Sequence, residues 1–212
     1  MTIPPQIALF QDPDDKDDLF FEREYWNAGH LVAGVDEAGR GCLAGPVVAA
    51  AVVLPENVRI EGVTDSKVLS ALKRQKLAKQ IKATALSWSI GSCNPKEIDQ
   101  LNILWASMEA MRRAIEALDM GPGFVLIDGN TSIPGLSIPS KPIIKGDSKS
   151  HTIAAASILA KTHRDDLMNS YHQTYPTYSW NTNAGYPTAA HYEAIRLHGV
   201  TDLHRSSFKL YR

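Results

Sequence analysis

The amino-acid sequence predicts an α/β domain, in which a mixed β-sheet is flanked by helices and followed by a helical C-terminal part. Three observations lead to this prediction. Short apolar runs have the length of strands, two longer stretches repeat apolar residues at helical spacing, and the order of these elements places more helix toward the C-terminus. The 212 residues are 44% apolar and 21% charged, so one domain can bury a sizeable core.

The first half of the chain contains three predicted strands and one helix. Residues 31–35 and 46–54 are apolar runs separated by a glycine-rich turn, so they can pair as antiparallel strands. Ser70 is a suitable N-cap for a lysine-rich helix that ends near residue 83. The alternating residues 85–90 predict a third strand.

The second half is richer in helix. Residues 99–119 carry apolar side chains at helical spacing and end at a Gly-Pro-Gly sequence. A buried strand is predicted over 124–127 and a short extended segment at 143–144. A second long helix is predicted over 151–171, and an amphipathic helix over 188–198 precedes the C-terminal tail.

The N-terminal segment differs from the rest in charge. Residues 1–30 contain seven acidic and two basic residues, whereas the remaining chain has 20 basic and 16 acidic residues. We expect residues 1–27 to be an acidic, mobile lead-in that is dispensable for folding and carries a short helix over 19–26. Residues 28–212 should form the folded domain, whose basic excess permits a polyanionic partner such as nucleic acid.

Other features exclude several classes of protein. No apolar run reaches the roughly 18 residues of a membrane-spanning helix, and the first residues lack the basic and apolar regions of a signal peptide. Cys42 and Cys93 cannot build a disulfide framework, and neither has a partner at zinc-ligand spacing. We therefore expect a cytoplasmic protein without a membrane partner.

Four acidic residues stand at the ends of predicted extended segments. Asp36 and Glu37 end the first apolar run, Asp128 ends the fourth strand, and Asp147 follows the last segment. Because ligand sites gather at strand ends in α/β sheets, these acids can converge. Converging carboxylates repel one another, and hard divalent ions such as Mg²⁺ or Mn²⁺ take such oxygen ligands. Two such ions, roughly 3.5–4 Å apart, can drive phosphodiester hydrolysis.

Simpler interpretations of these acids stay open at this point. Asp128 precedes Gly129 and could belong to an ordinary turn, while Asp147 could cap a helix. Asp36 and Glu37 are neighbours, and neighbouring residues of a strand point to opposite faces of the sheet. Both can reach one site only if the strand ends or twists there.

Several motifs of the chain resemble those of one nuclease family. The stretch AGVDEAGRGCLAGPVV at residues 33–48 resembles the signature of the ribonuclease HII family, the type 2 ribonucleases H. Further stretches fit the same family pattern in the same order: Asp65-Ser66-Lys67 with Leu69-Ser70, Ile127-Asp128-Gly129, Lys145-Gly146-Asp147 running into 154–161, Gly185-Tyr186-Pro187-Thr188, and His204-Arg205-x-Ser207-Phe208. The motifs span residues 33–208, and because all of them occur in the same order the resemblance is specific.

The resemblance implies a fold, an activity and a cofactor. The fold is ribonuclease H-like, and the expected protein is a monomer. The activity is metal-dependent hydrolysis of the RNA strand of RNA–DNA hybrids, and cleavage on the 5′ side of ribonucleotides embedded in duplex DNA, which leaves 3′-hydroxyl and 5′-phosphate ends. Such activity serves primer removal and ribonucleotide excision. By position, the family's ligands to two Mn²⁺ or Mg²⁺ ions correspond to Asp36, Glu37, Asp128 and Asp147.

The resemblance also assigns contacts to the substrate sugar. Gly39, Arg40 and Gly41 correspond to a turn whose backbone contacts the ribose 2′-hydroxyl, and Tyr186 to a tyrosine that packs against the next sugar. The physical argument agrees, because only the 2′-hydroxyl distinguishes ribose from deoxyribose, and a turn with glycines lets the backbone approach a sugar closely. Tyr186 could alternatively pack the last helix against the sheet.

Basic side chains supply candidate contacts to phosphate. Lys67, Lys161 and Arg205 are expected to bind phosphates, which positions a duplex without reading its sequence. Ser157 lies four residues before Lys161 and therefore on the same helix face, as a further substrate contact. The lysine-rich helix over 73–82 is expected to be a solvated surface rather than a rail for the duplex.

Three residues depart from the family pattern. Cys42 stands where the family commonly has proline, Val68 where a second lysine is frequent, and His163 where a small or hydroxyl residue is usual. None of them is a proposed metal ligand, so they bear on rate and substrate preference. Cys42 is expected to be a small buried hydrophobic residue and not a nucleophile.

Three other functions compete with this hypothesis. The spacing Gly39-x-Gly41-x-x-Ala44 fits a relaxed dinucleotide-binding fingerprint, but a β-branched run follows where that fingerprint needs a helix. A nucleic-acid-binding module without catalysis is the second alternative, and the presence of all four acids argues against it. A histidine-based or zinc-dependent nuclease is weaker still, because no His-x-x-x-His pair occurs.

Overall fold

The computed structural model describes residues 17–211. The strands are β1 Val32–Ala38, β2 Val47–Val53, β3 Ser87–Cys93, β4 Phe124–Asp128 and β5 Ser140–Ile143. The helices are α1 Phe20–Trp26, α2 Ala71–Thr84, α3 Pro95–Leu101, α4 Ile103–Glu116, α5 His151–Thr174, α6 Trp180–Asn183 and α7 Ala189–His198.

The five strands form one mixed sheet in the order β3-β2-β1-β4-β5. β2 is antiparallel to both β1 and β3, whereas β1, β4 and β5 run parallel. The predicted mixed sheet with flanking helices and a helical C-terminal part is thereby confirmed. Because β1 and β4 are parallel, with Val35 opposite Ile127, their carboxyl ends meet at one edge of the sheet. Within residues 17–211, no helix is long and apolar enough to cross a membrane.

Helices cover both faces of the sheet. On one face, Ala33 and Val35 of β1 pack with alanines of α4, including Ala110. On the other, Ala50 and Val52 of β2 pack with α2 and α5. Alternate strand residues therefore supply two separate cores, as the twofold repeat of a strand requires. β2 lies between two strands and is buried along its whole length.

Two glycines allow the helices to approach the sheet closely. A Cβ atom added to Gly34 of β1 would lie 2.6 Å from the carbonyl oxygen of Thr152, and closer still to its carbonyl carbon. On the opposite face, a Cβ atom added to Gly91 of β3 would lie 2.5 Å from the backbone nitrogen of Ala114 in α4. Any side chain at either position would have to displace helix backbone.

The predicted helix over 99–119 is wrong in one respect, because the chain forms two helices there. Asn102 adopts a left-handed φ of 64° and separates α3 from α4. Its side-chain oxygen accepts hydrogen bonds from the backbone N–H groups of Leu104 and Trp105 and so caps α4. With φ 64° and ψ 165° this backbone is unfavourable for a residue with a side chain, and the two capping hydrogen bonds help to support it.

The described part of the predicted lead-in contacts the folded domain. Residues 1–16 lie outside the described residues, but α1 packs on the sheet and its Glu22 is fully buried. The Glu22 carboxylate accepts hydrogen bonds from the Ser150 hydroxyl at 2.6 Å and from the Thr152 N–H at 3.0 Å, at the start of α5. A carboxylate satisfies the free N–H groups of a helix start. The short helix expected over 19–26 is present as α1, and these contacts attach it to the folded domain. That the lead-in is dispensable for folding stays a prediction.

The C-terminal part has its own small core, which contains a buried histidine pair. The indole N–H of Trp180 donates to His191 Nε2 at 3.1 Å, so His191 carries its proton on Nδ1 and donates from there to the Tyr186 carbonyl at 3.0 Å. His204 accepts from the Thr201 N–H at 2.9 Å and donates from Nε2 to His191 at 3.3 Å. The network is complete with both rings neutral.

This pair makes stability depend on pH. Burial and the neighbouring His191 lower the pKa of His204 to about 4, and burial lowers the pKa of His191 as well. In the unfolded chain a histidine titrates near pH 6.5, so between about pH 6.5 and 4 the unfolded state binds more protons. The stability that the neutral pair contributes is present above pH 6.5 and is lost as the pH falls.

We expect the melting-temperature difference between wild type and His204→Gln to narrow from pH 7.5 to pH 5. The variant lacks the titrating ring, whereas the wild type loses stability on acidification. Wild type and variant are compared at each pH because the buried carboxylates, whose pKa values are raised, stabilise the protein as the pH falls. Both proteins contain these carboxylates, so their effect cancels in the difference. Thermal unfolding across this pH range measures the effect, and a constant difference would contradict it.

Candidate active site

A cleft opens at the carboxyl ends of β1 and β4, beside the start of α5. Ten of the twelve predicted site residues line it: Asp36, Glu37, Gly39, Arg40, Gly41, Lys67, Asp128, Ser157, Lys161 and Tyr186. The two predicted residues that do not line it are Asp147 and Arg205. Ala38 and Ser66 also line the cleft and had not been predicted. Ser66 could have been found from the sequence, because it lies inside the Asp65-Ser66-Lys67 motif.

The strand register brings the carboxylates together. Val35 lies opposite Ile127, so the next residues, Asp36 and Asp128, are neighbours on one face of the sheet. Asp36 is buried, and one of its oxygens accepts a hydrogen bond from the Glu37 backbone N–H at 2.7 Å. Glu37 also lines the cleft although it follows Asp36 directly in β1, because the strand ends one residue later at Ala38.

These three carboxylates destabilise one another's charge. Burial raises the pKa of Asp36 well above its usual value, and the charges of Glu37 and Asp128 raise it further. Burial likewise raises the pKa of Glu37. The Arg40 guanidinium, 3.4 Å from a Glu37 carboxylate oxygen, opposes this shift. Burial also raises the pKa of Asp128, and the hydrogen bond that it accepts from the Gly146 N–H opposes the shift. A bound cation would stabilise the ionised forms of all three.

The fourth predicted carboxylate makes a different contact. Asp147 is buried in the short 3-10 turn after β5, and one of its oxygens lies 2.8 Å from Lys67 Nζ. Partial burial opposes ionisation of the lysine, but this hydrogen bond and the charge of Asp147 raise the pKa of Lys67. Over residues 17–211, no three acidic, histidine or cysteine side chains stand ready as one metal-binding group.

The donor set nevertheless fits a hard divalent cation in its chemistry. The groups that converge in the cleft are carboxylates, which are the ligands that Mg²⁺ and Mn²⁺ prefer. Burial is the main cause of their raised pKa values, and repulsion between neighbouring carboxylates adds to it, so a bound cation would favour their ionised forms. Softer ligands do not compete, because Cys42 and Cys93 are buried and do not line the cleft.

One wall of the cleft is the turn Gly39–Gly41. Gly39 has a φ of +99°, a conformation that favours glycine. Arg205 lies behind this turn, fully buried, and its guanidinium donates to the carbonyl oxygens of Gly39 at 2.7 Å and Arg40 at 2.9 Å. The predicted phosphate contact of Arg205 is therefore wrong, because a fully buried guanidinium bound to carbonyls cannot meet a phosphate in the cleft.

Tyr186 and α5 also line the cleft. The Tyr186 ring is 40% exposed and faces Lys161 Nζ at 5.4 Å from its centroid. Lys161 is also paired with Asp165 at 2.7 Å, and the Ser157 hydroxyl lies 2.9 Å from that of Ser66. Tyr186 thus stands at the rim of the cleft and is not packed into the core.

The remaining predicted features lie outside the cleft or beside it. Cys42 is buried, as expected, and burial raises the pKa of its thiol. Val68 is 73% exposed, and His163 is partly buried on α5. The lysines of α2 are exposed and do not line the cleft, although Lys82 lies over the Trp88 ring.

The chain after the glycine turn settles one alternative. A dinucleotide-binding fingerprint requires a helix to begin within the Gly39-x-Gly41-x-x-Ala44 segment. The chain instead continues into β2, which begins at Val47. The oxidoreductase hypothesis is therefore excluded by the local structure.

The fold and this acidic cleft define a ribonuclease H-type nuclease. Residues 33–211 match the family model described as Ribonuclease HII. The chain is 54% identical over 186 residues to Ribonuclease HII of Parabacteroides distasonis, covering 88% of this chain and 94% of that protein. It is 52% identical over 198 residues to Ribonuclease HII of Salinibacter ruber, covering 92% and 99%.

Solved structures agree with the sequence comparison. The ribonuclease H2 from Pyrococcus horikoshii OT3 superposes with a TM-score of 0.71 at 28% identity, covering 84% of this chain and 94% of that one. The chain belongs to the ribonuclease HII family. It is accordingly a ribonuclease H, a phosphodiester hydrolase acting on RNA–DNA hybrids, as the motifs had predicted.

Proposed function

We propose that this ribonuclease H is a metal-dependent endonuclease that also cuts on the 5′ side of single ribonucleotides embedded in duplex DNA. The products would carry 3′-hydroxyl and 5′-phosphate ends, which suits primer removal and ribonucleotide excision. One observation carries the proposal: the repelling carboxylates share a single cleft with the Gly39–Gly41 turn and the exposed Tyr186 ring. A reactive centre and groups able to contact a sugar therefore adjoin.

Divalent ions, Mg²⁺ or Mn²⁺, would be held by Asp36, Glu37 and Asp128, with Asp147 as the fourth ligand. Two bound ions would activate the attacking water and neutralise the leaving oxygen. The residues of the chain prepare this site, since the Gly146 N–H orients Asp128 and the Glu37 N–H orients Asp36. The carboxylates are difficult to ionise together, so a cation that binds among them stabilises their charges, and this attraction favours its binding.

Other residues would hold the substrate. Lys67 lines the cleft with a side chain that is 73% exposed, so it can meet a phosphate oxygen while contacting Asp147. Lys161 is placed on the same cleft beside Tyr186. The turn Gly39–Gly41 would recognise the ribose 2′-hydroxyl through its backbone, because hydrogen bonds to this hydroxyl separate RNA from DNA.

Cleavage of a DNA duplex containing one ribonucleotide tests the proposal. We expect a cut on the 5′ side of the ribonucleotide with Mg²⁺ or Mn²⁺, and none with chelator or on the all-DNA duplex. The position of the cut is mapped to the nucleotide, and the ends are identified by ligation and phosphatase treatment. Cleavage in chelator, or a cut elsewhere, would contradict the proposed function. Sedimentation of the free protein tests the expected monomer.

Tyr186→Ala should weaken cleavage by roughly 1–3 kcal/mol, about 5- to 150-fold, the usual effect of removing an aromatic ring that contacts nucleic acid. The ring is 40% exposed, so the melting temperature should hardly change. The loss should be larger where a deoxyribonucleotide follows the ribonucleotide than inside continuous RNA. Tyr211→Ala is the control, since Tyr211 is exposed and does not line the cleft.

The alternative role of Tyr186, packing the last helix, makes the opposite prediction. A core aromatic residue replaced by alanine lowers stability by roughly 3–5 kcal/mol and impairs all substrates alike. Single-turnover rates on both substrates, together with thermal unfolding, distinguish the roles. Equal losses on the two substrates in a destabilised variant would refute the contact with the sugar.

A further inference from the structure

Two fully buried arginines stand behind the cleft without a carboxylate partner. Arg164 and Arg205 are both 0% exposed, and in residues 17–211 no ion pair joins either to an acid within 4.0 Å. Each donates three hydrogen bonds, and all six acceptors are backbone carbonyl oxygens. Burying a charge is unfavourable unless it is fully hydrogen-bonded. Each of these side chains therefore holds the backbone segments that it binds in a fixed position.

Arg205 binds the turn that lines the cleft. Its guanidinium donates to Gly39 at 2.7 Å, to Arg40 at 2.9 Å and to Gly45 at 3.0 Å. The peptide bonds here are trans, and in a trans peptide the carbonyl of one residue and the N–H of the next point in opposite directions. Two carbonyls directed inward to Arg205 thus turn the N–H groups of Arg40 and Gly41 outward.

The outward direction is the cleft. The turn Gly39–Gly41 lines it, whereas Arg205 does not. In the described part of the chain, neither the Arg40 nor the Gly41 N–H donates to a protein acceptor. Two adjacent N–H donors without an acceptor form a small site for an electronegative oxygen, such as a hydroxyl or a phosphate oxygen.

Arg164 joins the same loop to the adjoining segment that carries Tyr186, whose Gly185 carbonyl also accepts from the Leu43 N–H at 2.8 Å. It donates to the carbonyls of Ala44 and Pro46, both at 3.0 Å, and to that of Ala184 at 2.8 Å. Ala184 adopts a left-handed φ of 47°, which is unfavourable for a residue with a side chain and requires support from its surroundings. The turn that follows Ala184 carries Tyr186. Arg164 thereby holds the loop after the glycine turn and the segment before Tyr186 together.

We infer that Arg205 is a positioning residue for ribonucleotide recognition, which directs the N–H groups of Arg40 and Gly41 at the substrate ribose, while Arg164 holds this turn in register with Tyr186. The inference rests on the proposed function. It goes further because it assigns the recognition geometry to side chains that the substrate never touches.

The position of Arg205 is itself fixed by its neighbours. The Arg205 backbone N–H donates to the Leu43 carbonyl at 2.9 Å. The next two residues, Ser206 and Ser207, donate from both backbone and hydroxyl to the Asp99 carboxylate at 2.6–2.9 Å. The segment is thus attached on both sides of the arginine, which leaves the guanidinium little freedom.

Binding several carbonyls at once depends on the planar shape of the arginine guanidinium. A guanidinium presents five N–H donors in one plane, whereas the lysine ammonium is a point charge with three rotatable donors. Arg205→Lys keeps the charge but loses the fork, so it separates the positioning role from a simple effect of charge. Arg205→Gln is the second variant and removes the charge.

The experiment compares two duplexes that differ in one ribonucleotide. We measure kcat and KM on the ribonucleotide duplex and the inhibition constant of the matched all-DNA duplex as a competitor. Arg205→Lys should lower kcat/KM at least about tenfold, while the inhibition constant changes less than about twofold, because only ribose recognition uses the turn. Ile115→Ala is the stability control: Ile115 is buried toward the far end of α4, so the variant should be destabilised without changing either value.

A second measurement keeps the inference testable if the arginine variants do not fold. In wild-type protein with chelator, amide hydrogen exchange of Arg40 and Gly41 should slow at least about fivefold more with the ribonucleotide duplex than with the all-DNA duplex. Equal protection would overturn the inference, as would a folded Arg205→Lys variant with wild-type kcat/KM. If wild type itself fails to cleave the ribonucleotide duplex, the proposed function fails instead.

Discussion

Asp36→Asn is expected to lower the rate of cleavage at least about 100-fold and, at the same time, to raise the melting temperature of the metal-free protein. Asp36 is buried beside Glu37 and Asp128, whose charges add to the burial that raises its pKa. Asparagine keeps the volume and the oxygen that accepts the Glu37 N–H. It removes one of three mutually repelling charges, which stabilises the fold.

The same charge is needed for the reaction. A carboxylate that binds a catalytic cation stabilises the charge that develops in the transition state, and loss of one such group reduces rates by about 10²–10³. Single-turnover cleavage with Mg²⁺ and with Mn²⁺ measures the first effect, and thermal unfolding in chelator measures the second. Asp166→Asn is the control, because Asp166 is exposed on α5 and does not line the cleft.

The two readouts separate the possible outcomes. Near-normal cleavage by Asp36→Asn would exclude Asp36 from the metal ligands. Lower stability together with low activity would show that Asp36 is a structural residue and that the loss of rate is secondary. Only a more stable and inactive variant agrees with the proposed site.

Gly34→Ala should destabilise the protein by about 3 kcal/mol or more. The added methyl group would lie 2.6 Å from the Thr152 carbonyl oxygen and closer to the adjacent backbone atoms of α5. Overpacking, which forces side chains off their rotamers or shifts the backbone, usually costs about 1–3 kcal/mol and occasionally more. Here the obstructing atoms are helix backbone, so α5 itself must move.

Urea denaturation measures this loss, with Gly121→Ala as the matched control. A Cβ atom at Gly121 meets nothing within 4 Å, so that variant should lie within about 0.5 kcal/mol of wild type. Gly34→Ala should also reduce cleavage in the fraction that stays folded, because Ser157 and Lys161 are carried on α5. A loss below about 1 kcal/mol would show that α5 adjusts to the sheet more easily than the close approach indicates.

The placement of the carboxylates could be predicted from the sequence, because it depends on local order along the chain. Each acid follows an apolar run, and parallel strands bring their carboxyl ends to one edge. The register of Val35 against Ile127 then places Asp36 beside Asp128. The sequence does not reveal that Asp147 contacts Lys67, since these residues are 80 positions apart.

The sequence by itself thus determined the main elements and most of the residues that line the cleft, since apolar periodicity, capping residues and motifs are local properties. Tertiary structure alone decided which polar groups are buried. From the sequence Glu22 is predicted to belong to an acidic lead-in, but in the structure it binds the start of α5. Arg205 is predicted to contact phosphate, but it binds the carbonyls of residues 165 and 166 positions away in the chain. The physical reason is that the type of a charged residue does not determine whether it is buried. Its burial depends on hydrogen-bond partners that only the folded chain brings within reach.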